Sequence, residues 1–215
     1  MLTDFLTVAV LALVGTRLVS VFTQAARTER MRRHILDILR GLRLHHFLLV
    51  PPVLALIIAV FSLLLRIPGM SFGWWTAIGG QGNPVLGATD KTNGTPLEWI
   101  IPLVFVVLLI PILPLFAERE EVMFRQGAEH WSWAHRAYKC LQFGAVHALI
   151  GIPIGVALAL SIGGAYFMAA YLRAYRRHGP EAALLESTRS HTAYNLSLVV
   201  LLLVYVIGIA TGAVK

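Results

Sequence analysis

Cysteine is almost absent from this 215-residue chain, which holds one, Cys140. A single thiol excludes an internal disulfide framework and any cysteine-rich metal centre. Charge is scarce too. Asp, Glu, Lys and Arg make up 13% of the sequence, where an ordinary soluble domain carries about 25%. Hydrophobic residues reach 57% and mean hydropathy is +0.73. There is no basic n-region at the start and no evident small-residue cleavage site, so the first apolar run reads as a retained span. Internal repeats and low-complexity tracts are absent. So are the G-x-S-x-G and H-E-x-x-H patterns of serine hydrolases and zinc peptidases.

What the chain does have is apolar runs. They cover roughly residues 5–22, 47–65, 99–117, 137–150, 154–172 and 191–213. The pattern predicts an all-α, polytopic bundle of about six spans at ~20 residues each. Pro102, Pro111 and Pro114 should kink the third run, and Gly151-Ile152-Pro153 should break the chain before the fifth. Gly155, Gly163 and Gly164 should allow close helix approach. The last helix is expected to start near Pro180 or Ser187. Residues 66–96 read as a long external loop with Trp74-Trp75 as an interfacial anchor.

The stretch 23–46 carries Arg27, Arg30, Arg32, Arg33, Arg40 and Arg43. Met31, Ile35, Ile38, Leu39 and Leu42 recur between them at helical spacing. It is expected to form an amphipathic helix on a membrane face. With alternating sides, 15 of the 18 Lys and Arg residues fall on one face of the membrane. By the positive-inside rule that face is cytosolic and both chain ends lie outside. The net charge of +7 then reflects topology and anionic lipid, and nucleic acid need not be invoked. A bacterial inner membrane is the expected location. Residues 1–96 form an N-terminal two-span region and residues 97–215 a core that holds the candidate chemistry.

Three polar clusters stand at or beside spans, where ionisable groups are costly and call for a functional reading. In Glu120-Glu121-Val122-Met123-Phe124-Arg125, helical spacing puts Glu121 and Arg125 on one face in salt-bridge order. Glu120 is rotated about 100° away and is free to act as a base. Phe143 and His147 share a face in the fourth run. His191 and Asn195 stack at the start of the last run, where both can donate to one small group.

The ordered set Glu-Glu-x-x-x-Arg, Phe-x-x-x-His and His-x-x-x-Asn resembles the CAAX protease and bacteriocin-processing (Abi) family, which includes the type II CAAX prenyl endopeptidases. The resemblance covers about two-fifths of the chain by this span reading. It implies a glutamate-dependent intramembrane endopeptidase. Glu120 would activate water, with His147 holding and polarising it. His191 and Asn195 would stabilise the oxyanion. Glu121 and Arg125, with Phe143, would brace the site. No cofactor is then required; the alternative is a zinc ion on Glu120, His147 and His191. Membrane lipid and a peptide or membrane-protein substrate are the expected partners. Two other classes are a non-proteolytic accessory or immunity subunit of a larger membrane complex, and a haem or chlorophyll protein using His147 and His191. His34, His45, His46, His130, His135 and His178 are assigned to surface or headgroup contact, with adventitious metal binding open to the His45-His46 pair.

Overall fold

A computed structural model describes residues 2–79 and 94–210, and among these every regular element is helical. The helices are α1 (Leu2–Arg27), α2 (Glu29–Arg40), α3 (Leu44–Leu48), α4 (Val50–Leu64), α5 (Trp74–Ala77), α6 (Leu97–Leu109), α7 (Leu113–Phe124), α8 (Trp133–Val146), α9 (Ile154–Ala159), α10 (Ser161–His178) and α11 (Pro180–Ala210). Among the described residues, three segments are long and apolar enough to cross a membrane: Val8–Arg27, Leu44–Leu64 and Ile154–His178. Phe5, Leu13, Leu56, Leu63, Val104, Val107, Val200 and Val204 point outward. An outer surface of this kind suits a chain solvated by lipid, and the protein is a membrane protein.

The breaks follow local chemistry. Pro51 and Pro52 occupy the first turn of α4, where a missing N–H costs nothing. Around Pro111 the third run tightens into a 3-10 turn over Ile110–Ile112 and resumes as α7. Ser132 caps α8 by accepting the His135 N–H. Gly179, at φ +82°, turns the chain between α10 and α11, and Pro180 opens the next helix. The last helix thus begins at the earlier of the two expected positions.

Two expectations are corrected. The amphipathic helix expected over residues 23–46 is shorter, α2 at Glu29–Arg40, and its apolar stripe packs on protein. Ile38 and Ile35 are buried, and Met31, Ile35 and Leu39 pack with Leu18 and Ala25 of α1 and with Ile112. Burial against protein satisfies the stripe, so only the arginine-bearing face stays exposed. Trp75 is not an interfacial anchor. It is fully buried, and the neighbouring Trp74 indole donates to the Leu149 carbonyl at 3.1 Å. The rest of the expected external loop, residues 80–93, lies outside the described residues, as do Lys91 and the Lys215 end.

The central core joins both halves of the chain: Val50 and Ile57 of α4 pack with Phe124, Phe143, Ala159, Phe167 and Tyr194. Gly144 makes the tightest crossing. A Cβ there would lie 2.7 Å from the Ser161 amide nitrogen and nearer still to the Ala157 carbonyl oxygen, both backbone atoms. A Cβ at Gly163 would meet nothing closer than 3.8 Å. Gly144→Ala is therefore expected to destabilise by about 1–3 kcal/mol, with Gly163→Ala near neutral, in parallel thermal melts in detergent.

Candidate functional site

The site forms where the C-terminal ends of α7 and α8 and the first half of α10 meet the first half of α11. Glu121 and Arg125 pair across one turn of α7 at 3.1 Å, and both are buried. The Arg125 guanidinium lies 4.2 Å from the Phe143 ring centre and donates to the Gly164 carbonyl at 3.3 Å. A delocalised, weakly hydrated cation suits such an aromatic cradle.

Glu121 has two further partners, both from α11. His191 Nδ1 donates to Oε1 at 2.8 Å, and the Ser187 hydroxyl donates to Oε2. This network gives the buried carboxylate a hydrogen bond at each oxygen, the condition for keeping a charge inside. The His191 ring is stacked on Phe167, with centroids 4.2 Å apart and planes 18° apart. The Glu121 bond and the stack fix the imidazole in position and in tautomer, which leaves Nε2 as its outward atom.

Glu120 behaves differently from its neighbour. Its side chain is 33% exposed, yet Oε2 is buried without a hydrogen-bond partner. His191 Nε2 lies 3.7 Å from it. That is too long for a direct hydrogen bond.

The other expected residues sit around this pair. His147 begins the 3-10 turn after α8 and is half-buried. Its Nδ1 donates to the Phe143 carbonyl at 2.8 Å, so Nε2 is the acceptor in the neutral ring. The Phe143 ring touches both imidazoles edge-on, at 5.1 Å from His147 and 5.7 Å from His191. Asn195 lies one turn beyond His191 and is half-buried. Glu120, His147 and His191 do not bring their ligand atoms within 4.8 Å of one another. The zinc set considered from the sequence is thus not a preformed cluster.

Ser187 and Phe167 had no part in the sequence-based site. The available signal for Ser187 was its i−4 spacing from His191, which extends the His191–Asn195 stripe by one turn. Thr188 and Thr192 form the neighbouring stripe, both buried with unpartnered hydroxyls. In the polar stretch before His191, Ser187, Thr188 and Ser190 are buried.

A second cluster joins α3 to the same helix. His45 Nε2 and His46 Nε2 stand 3.0 and 3.2 Å from Glu186 Oε1. His46 is buried, so its assignment to surface or headgroup contact is corrected. His34, 44% exposed, pairs with Glu118 at 2.8 Å. The hydrogen bond from His46, with that from His45, holds the Glu186 carboxyl down at about 2 against the burial that opposes it.

Searches against protein-family models, characterised proteins and solved structures return no match to this chain.

Proposed function

We propose that the protein is an intramembrane endopeptidase of the CAAX-protease type, in which Glu120 activates a water that hydrolyses a peptide bond near the cytosolic membrane face. One observation carries this reading: the Glu120 Oε2 atom is buried, lacks a hydrogen-bond partner, and stands 3.7 Å from an imidazole nitrogen held by a neighbouring carboxylate. A base must be within reach of the proton it takes, directly or through one water.

In this reaction Glu120 accepts a proton from water as the oxygen attacks the scissile carbonyl carbon. The C–O bond forms and the carbonyl electron pair moves onto oxygen. His191, in its doubly protonated form with Nδ1–H on Glu121, donates to that oxyanion through Nε2–H, and Asn195 donates through its amide. Collapse of the intermediate breaks the C–N bond, and Glu120 returns the proton to the leaving amine. His147 accepts from the water through Nε2 and holds it. Glu121, Arg125, Ser187 and Phe143 keep His191 in place and do not touch the reacting atoms. No metal is required by this scheme.

The topology that goes with it has about six crossings. The basic face is cytosolic, both ends are outside, and the membrane is a bacterial inner membrane. The substrate is a peptide or membrane protein presented at the lipid boundary. Purified protein in liposomes, offered a peptide library and analysed by mass spectrometry, tests the reading. Cleavage by wild type and its loss in Glu120→Gln support it. Absence of cleavage, together with stoichiometric copurification in a larger assembly, overturns it in favour of an accessory or immunity subunit.

A further inference from the structure

Among the described residues, a second set of side chains arranged for chemistry lies away from Glu120. We propose that His45, His46 and Glu186 form a divalent transition-metal site of the zinc class that fastens α3 to α11.

The ligand atoms of these three residues all lie within 4.8 Å of one another. Each imidazole presents Nε2 to the same carboxylate oxygen, at 3.0 and 3.2 Å. Two ligands on one tetrahedral zinc, with bonds of ~2.0–2.2 Å, are themselves separated by about 3.3 Å. The two nitrogen–oxygen separations are thus nearly those of a filled site. Two imidazoles and a carboxylate are also a donor set that zinc takes readily.

The surroundings are built for it as well. His46 Nδ1 lies 2.9 Å from the Arg43 amide nitrogen and 3.2 Å from the Arg43 carbonyl oxygen. Without metal, Nδ1 accepts from the amide and Nε2–H donates to Glu186. With metal on Nε2, the ring carries its proton on Nδ1 and donates it to the Arg43 carbonyl, the usual outer support of a ligating histidine. Arg189, the cation nearest in sequence to Glu186, does not compete for it. Its guanidinium fills the space beside Gly41, at the end of α2. His45 is 59% exposed, which gives metal an entry path. A cavity of about 700 Å³, lined by His45, Tyr166, Arg173, Arg177, Glu186 and Arg189, borders the site. It leaves room for a fourth, exchangeable ligand, water or a small anion drawn by the arginines.

The consequence is mechanical. His45 and His46 come just before α4, and Glu186 is on the helix that carries His191. A bound ion would set the rotation and register of α11 against the N-terminal half of the chain. The proposal does not depend on the peptidase reading, because its readout is metal binding.

The test uses full-length, tag-free protein in detergent, with zinc chloride titrated by calorimetry and bound metal measured after gel filtration. Wild type should take up one zinc per chain with a Kd of about 1 μM or tighter. His45→Ala, at an exposed position, and Glu186→Gln should each weaken binding at least ~10-fold. Circular dichroism checks their fold. Glu120→Gln and His147→Ala should bind as wild type. The proposal is overturned by either of two results: no uptake at ~100 μM zinc, or metal lost in Glu120→Gln and His147→Ala but kept in His45→Ala.

Discussion

Glu120→Gln is expected to lower peptide turnover by ~100–10,000-fold, the range spanned by general bases. The amide has almost the same shape as the carboxylate, so it keeps the packing, but it cannot take a proton from water. The fold should be indifferent. The side chain is a third exposed, and its nearest described ionic neighbour is His191 at 3.7 Å. Stability should stay within about ±0.5 kcal/mol, as for other substitutions that break no buried contact. Single-turnover cleavage in liposomes and a thermal melt of the same preparation make the comparison. Wild-type cleavage by this variant would remove Glu120 from the chemistry. Glu121 is a poor substitute for the role, because Arg125, His191 and Ser187 already occupy its oxygens.

Arg125→Met should have the largest effect on stability, a loss of about 3–5 kcal/mol. Methionine fills much of the same volume among Phe124, Phe143 and Phe167, so the apolar contacts largely survive. What is lost is the counter-charge to a fully buried carboxylate, and an uncompensated buried charge is expensive. Arg125→Lys keeps the charge but loses the planar group over the Phe143 ring and should fall between wild type and Arg125→Met. The double variant Glu121→Gln/Arg125→Met should be more stable than Arg125→Met alone, since no lone charge remains. Denaturant titration in mixed micelles reads all four proteins. A cost below about 1 kcal/mol for Arg125→Met would show that the ion pair is not what holds α7 against α8, α10 and α11.

The legible parts of this architecture are local ones. The Glu121–Arg125 pair could be read because both residues ride on one helix, where a separation of four sets them on one face whatever surrounds them. The same holds for Phe143 with His147, for the apolar stripe of α2, and for the proline and glycine breaks. The partner of His191 could not be read this way. Glu120 and Glu121 are adjacent, and which of them meets a residue on α11 depends on how α7 is rotated about its own axis. The structure turns Glu121 to His191 Nδ1 and leaves Glu120 beside Nε2. Trp75 was misplaced for a related reason. A tryptophan beside a span has an amphipathic ring that suits an interface and a core equally well, and only the packing of α5 buries it.

The amino-acid order alone determined that this chain is helical, that much of it belongs in lipid, where it bends, and which polar residues stand near span ends. Those properties follow from hydropathy and from the repeat of the helix, each acting over a few residues. Tertiary packing decided which carboxylate is locked and which is left unpaired. It also buried the apolar side of α2, and it brought His45 and His46 to Glu186 across more than half the length of the chain. Such meetings depend on the rotation and crossing of separate helices, which are set by the fit of many side chains at once and leave no short-range mark in the sequence.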